Sequence, residues 1–242
     1  MNHCSKIGEI IAFAPSAITV FEQFGIDCYR MAGHPLDEFC AKQGLSHQSL
    51  LGRVKDAQCE ASEQITLPNW VELPLASVIE HIVQRHHHFA RRILSELHGF
   101  ADSVWERYRR TRPEAARLKT HLQMLERELM MHLLKEEDMV FPHICALESK
   151  IEAPASASIF FASVRHPLDA LMSVMSDEHD LTDKLLERVS ADGRSLDAIQ
   201  ADSGNFAELL QSLKRDLLVH SCLEDFILFP RARALEETHL AP

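Results

Sequence analysis

The chain has 242 residues, 46% of them apolar and 25% charged, an ordinary composition for a soluble globular protein. Its formal charge of −11 disfavours nucleic acid and anionic membrane surfaces as partners, since both call for clustered Lys and Arg. Eight glycines and ten prolines leave most of the chain free to be helical, and the scarcity of Tyr and Trp argues against extensive sheet.

Fifteen histidines are many for this length, and imidazole is the commonest metal ligand. Six cysteines, at 4, 28, 40, 59, 145 and 222, form no CxxC pair and no even framework; reduced thiols in a cytoplasmic protein are the simplest reading. No stretch approaches the roughly 18 consecutive apolar residues of a membrane span. The N-terminal "IGEIIAFAPSAITVF" has the apolarity of a signal sequence, but Glu9 and Pro15 interrupt it and only Lys6 precedes it, so it reads as a helix pair.

In chain order, residues 1–60 form a small helical N-terminal domain. It has two short helices broken near Pro15, then two more started by Pro35 and Ser46. Residues 61–74, with two prolines and no period, form a linker. Residues 75–242 carry four long helical patterns, at about 75–110, 113–140, 166–191 and 205–229, with "ESKIEAPASASIFF" and "SADGRSLDAIQADSG" as loops. The fold class is therefore all-α, a four-helix bundle behind a small helical domain.

The bundle contains a repeat. A shift of 92 lays the first helix on the third: Ile79 on Leu171, Ile82 on Val174, Val83 on Met175, His87 on His179, Ile93 on Leu185 and Leu94 on Leu186. A shift of 88 lays the second on the fourth, matching "HLLKEEDMVFP" with "HSCLEDFILFP". In each motif a His and a Glu four residues on share one helix face. His132 and Glu136 lie in the apolar stripe of Leu125, Leu129, Met139 and Val140. A carboxylate in a core-facing stripe is costly unless paired or bound to metal, and two such pairs related by a repeat favour metal. Proline disfavours helix in the residue before it, so both helices are expected to end at Phe141 and Phe229.

His87 and His179 complete a set of four His and two Glu. Periodicity alone places His86 nearer the stripe centre, whereas the repeat prefers His87. Mixed imidazole and carboxylate donors with room for outside ligands suit iron or manganese, and bridging falls to Glu136 and Glu224 because a carboxylate has two oxygens. His81, His86, His88, His98, His121 and His143 read as solvated or as outer partners of ligands, while His34 and His166 belong to helix starts. Cys222 is rotated off the ligand face and reads as packing.

"LASVIEHIVQRHHHFARR", "HLLKEEDMVFP", "MSVMSDEHD" and "HSCLEDFILFP", in this order, resemble segments of the repair-of-iron-centres family, hemerythrin-like di-iron proteins of the bacterial nitric oxide and oxidative stress response. The resemblance covers nearly the whole chain. It implies a hemerythrin-like bundle whose metal ligands are His87, His132, Glu136, His179, His220 and Glu224, holding two iron ions in an oxo-bridged non-haem pair. Glu178 matches an acid beside the iron site in relatives. The implied function is binding of NO or O₂ and supply of iron to damaged iron–sulfur proteins, by a cytoplasmic monomer or homodimer. The family's adjacent-cysteine stretch, Asp-x-Cys-Cys-Gly-Gly, is replaced here by "IDCYRMAGHP", with Cys28 alone. That departure keeps open an alternative, an NO or O₂ sink or sensor without cluster repair. Nothing in the sequence decides whether the chain turns over a substrate.

Overall fold

The computed structural model describes residues 5–62, 69–149, 167–197 and 203–240. Among these no residue belongs to a β-strand, so the fold is all-α. None of the helices among the described residues is long and apolar enough to cross a membrane. The chain divides into two compact units, Met1–Val78 with Leu218–Arg231, and Ile79–Leu217 with Ala232–Pro242.

The first unit begins with α1 (Ile7–Phe13), α2 (Ala17–Gln23), α3 (Cys28–Met31), α4 (Leu36–Gln43) and α5 (His47–Ser62). Pro15 separates α1 from α2 as its missing N–H requires. Asp27 caps α3 by accepting the Arg30 backbone N–H at 3.3 Å, and Ser46 starts α5 by accepting that of Ser49 at 3.3 Å. The helix α4 ends on Gly44 in the left-handed region, φ +66°. Single-turn α3 escapes sequence reading because four residues carry no period. Ile7, Ile10, Ile11, Phe21, Leu36, Leu50, Val54 and Trp70 make the core of this unit.

The first long helix starts with α6 (Leu75–His81), passes through a π-turn at Ile82–His87 and continues as α7 (His88–Tyr108). The second is α8 (Pro113–Lys135), a π-turn at Glu136–Val140 and α9 (Phe141–Ser149). The third is α10 (Pro167–Asp197), and the fourth runs as α11 (Ser203–Leu223), a π-turn at Glu224–Leu228 and α12 (Phe229–Leu240). In the second unit one apolar core joins all four: Ala90, Ile93 and Leu97 from α7, Leu118, Leu122, Leu125 and Leu129 from α8, Leu185, Leu186 and Val189 from α10, and Phe206, Leu210, Leu213 and Leu217 from α11. A four-helix bundle follows.

Three expectations are corrected. The Phe-Pro pairs do not end their helices. A proline ring collides with the carbonyl four residues back, which is that of Asp138 for Pro142 and of Phe226 for Pro230. Both carbonyls lie inside π-turns, whose extra residue widens the turn, and each proline takes the second position of the next helical segment. Secondly, α10 runs through Gly193 to Asp197, into the stretch read as loop. Gly193 is there for packing: a Cβ on it would lie 2.7 Å from the ring of Phe206. The stretch read as the earlier loop is helical through Ser149, and its residues 150–161 lie outside the described ones.

Thirdly, the shift of 92 fails where the first π-turn begins. At the first residue of that turn, Ile82 is fully buried while its expected match Val174 is 42% exposed. A shift of 93 restores the match there, pairing buried Leu75, Val78 and Ile82 with buried Leu168, Leu171 and Met175. The π-turn is a one-residue insertion relative to the third helix, and it rotates the following residues by one position.

Candidate metal centre

Each of the three π-turns closes with a backbone hydrogen bond spanning five residues: His88 N–H to the Val83 carbonyl, Phe141 N–H to that of Glu136, and Phe229 N–H to that of Glu224. The two candidate ligand carboxylates thus stand at the first residue of a π-turn, and His87 at the last residue of another. Such turns re-aim side chains that a regular helix would hold one residue out of phase.

In the second unit Glu136 is 0% exposed. One of its oxygens, Oε2, lies 3.3 Å from His87 Nε2, and the other, Oε1, lies 2.9 Å from His132 Nε2. His179 Nε2 is 3.2 Å from His132 Nε2. The ligand atoms of His132, Glu136 and His179 all fall within 4.8 Å of one another. Each oxygen of this carboxylate thus faces a different imidazole, so both would be available to a cation held there. In the first unit, His220 Nε2 is 3.0 Å from Glu224 Oε1, again with both side chains buried.

The far side of two rings is committed elsewhere. His87 Nδ1 meets Glu137 Oε1 at 2.6 Å, and Arg91 donates to the same oxygen at 2.9 Å. His132 Nδ1 meets Glu178 Oε2 at 3.0 Å, and Lys135 pairs with the other Glu178 oxygen. Burial pushes Glu137 up, but the hydrogen bonds from His87 and Arg91 outweigh it and hold its carboxyl below the usual range. The hydrogen bond from His132 holds Glu178 low, against burial and with help from Lys135. An ionised carboxylate on Nδ1 selects the tautomer with its proton there, leaving the Nε2 lone pair facing Glu136. Lone pairs facing a carboxylate repel unless a cation lies between them, so this donor set fits a metal ion.

Phe141 stacks on His87, centroids 5.7 Å apart and planes 23° from parallel. His86, read as solvated or as a ligand's outer partner, is 5% exposed and pairs with Asp216 at 3.1 Å. His98 meets Glu126 at 3.0 Å and His121 meets Asp192 at 2.6 Å, so these too serve as partners of acids. Sequence reasoning missed Glu137, Arg91 and Lys135. The second acid in both repeated motifs was the available signal for Glu137; nothing in the spacing marked the two cations.

A helical bundle that turns buried imidazoles and a shared carboxylate toward one another is a cation-binding helical protein. The hemerythrin HHE cation binding domain model matches residues 78–232, and the chain belongs to that family. It is 28% identical over 235 residues to the iron-sulfur cluster repair protein YtfE of Citrobacter koseri, covering 95% of this chain and 97% of that one. The YtfE protein of Salmonella typhimurium is 28% identical over 234 residues, with the same coverage. These proteins are similar along nearly the whole of both chains.

Proposed function

We propose that the chain is a cytoplasmic di-iron protein of the nitrosative and oxidative stress response. It binds NO or O₂ at an oxo-bridged non-haem pair and supplies iron for repair of damaged iron–sulfur clusters. Residues 75–242 act as the di-iron bundle, with His87, His132, Glu136, His179, His220 and Glu224 as its ligands. The single observation that carries this reading is the Glu136 carboxylate, which faces His87 with one oxygen and His132 with the other. The family match supports extending the set to His220 and Glu224, because it spans all six residues.

Iron in such a site supplies open coordination positions and one-electron redox capacity. The protein's own part is positional. Glu137 and Glu178 hold the protons of His87 and His132 on Nδ1 and keep each Nε2 directed inward. Burial of Glu136 keeps water from competing for its oxygens. The names of the relatives support cluster repair as the destination of the iron. Metal analysis and Mössbauer spectroscopy of protein expressed with ample iron test the reading. Two irons per chain and a coupled ferric pair are expected; iron-free protein would end it.

One observation favours a second reading, a sink or sensor for NO or O₂ without repair activity. Cys28, the lone cysteine of "IDCYRMAGHP", is 1% exposed. Burial, aided by nearby Glu22 and Asp27, pushes its thiol up to about 12, so it has no thiolate at neutral pH. Incubation of iron-loaded protein with a nitric-oxide-damaged iron–sulfur dehydratase separates the two. Recovery of dehydratase activity supports repair; tight NO binding without recovery supports the sink.

A further inference from the structure

We infer that the N-terminal helices position Glu224, through a close-packed contact between Gly8 of α1 and Phe226 in the π-turn that Glu224 opens. This rests on the reading that His220 and Glu224 hold iron. Residues Leu218–Arg231, which carry both, fold in one compact unit with Met1–Val78. The ring of Phe226 occupies the space that a side chain on residue 8 would need: a Cβ there would lie 2.0 Å from Cε2, 2.6 Å from Cδ2 and 2.7 Å from Cζ. Only glycine permits this approach. The Lys6 ammonium lies 5.8 Å from the same ring's centroid, a cation–π contact.

The segment is also fastened beyond the turn. Arg231 donates to the carbonyls of Trp70 and Leu73, each at 2.6 Å, and the Trp70 indole donates to the Ala12 carbonyl at 3.1 Å. Between these two grips Ile227 and Leu228 are 3% and 0% exposed. Phe226 stands two residues after Glu224, and the turn's closing bond ends on the Glu224 carbonyl. A π-turn is less favourable than regular helix and persists where its surroundings over-determine it. Here the N-terminal helices supply those surroundings, so their packing sets where the Glu224 carboxylate points. The task requires no cysteine, consistent with a single cysteine in "IDCYRMAGHP".

The test compares Gly8→Ala, Arg231→Met and Gly52→Ala with the wild-type full chain. A Cβ on Gly52, in α5 of the same unit, meets nothing within 4 Å, so this variant is the control. Three quantities are read: iron release to a chelator, the ferric charge-transfer bands, and amide hydrogen exchange across 220–228 in iron-free protein. Gly8→Ala is expected to speed release about tenfold or more, shift the bands and quicken exchange, with Gly52→Ala matching wild type. Adding Phe226→Leu to Gly8→Ala makes room and is expected to return release toward wild type. Should Gly8→Ala not fold, Arg231→Met carries the test with the same expected changes. Wild-type bands, release and exchange in both variants would overturn the inference. A wild type that holds no iron would instead sink the metal reading itself, while exchange in iron-free protein still decides whether the N-terminal helices hold the turn.

Discussion

At His87 and His132 each ring is divided between two carboxylates. Nδ1 faces an acid backed by a cation, Glu137 with Arg91 and Glu178 with Lys135, and Nε2 faces buried Glu136. The acid on Nδ1 orients the ring and raises its basicity, an effect typically worth 10–100-fold in metal affinity. Glu137→Gln is therefore expected to weaken iron binding by about 10–100-fold without unfolding the chain, read by competition with a chelator. The pH dependence follows from the same pair. Glu137 and Glu178 are held below the ordinary carboxylate value in the folded protein. Their contribution is complete above that value, roughly 4.3, and is lost as pH falls through the depressed one. Iron retention measured against pH is expected to stay level near neutrality and to fall steeply below about pH 4.

At the scale of the element, the helices are legible from periodicity and their phase is not. The stripes of α7 and α8 are plain in the sequence, and Leu125 and Leu129 lie buried where the spacing puts them. A π-turn adds one residue without a residue-type signature, so the wheel before Ile82 points to His86 and the structure brings His87 to Glu136. Gly193 shows the same limit: read locally it marks a loop, but in the bundle it makes room for Phe206. Gly193→Ala is expected to destabilise the fold by about 1–3 kcal/mol through overpacking. Gly99→Ala in α7, where a Cβ meets nothing within 4 Å, is expected to be neutral or stabilising by up to about 1 kcal/mol. Denaturant melts of the two variants check the contrast.

For the whole molecule, bound metal and fold stability are one quantity seen twice. A ligand that binds only the folded state stabilises it by mass action, about 4 kcal/mol at a free concentration a thousand times its Kd. Removal of iron by chelator is expected to lower the melting temperature, and readdition to restore it. Glu136→Gln is expected to melt at one temperature with or without iron, because the carboxylate facing both His87 and His132 has lost its charge. Differential scanning calorimetry of the four samples measures this.

The sequence alone determined the helix class, the four-stripe bundle, and the two His-x₃-Glu pairs, because the helical period is local and a buried Glu beside a His has few cheap explanations. The family resemblance placed Glu178 beside the candidate site without saying which histidine it holds. The repeat already preferred His87 to His86; only tertiary structure decided how a π-turn brings it to Glu136, that the helices run on past Phe-Pro, and that Glu137 and Glu178 hold the outer nitrogens. The reason is common to all three. A one-residue π-turn, a tolerated proline and a contact between residues 46 or 50 apart are each fixed by what packs against them, which local pattern does not encode.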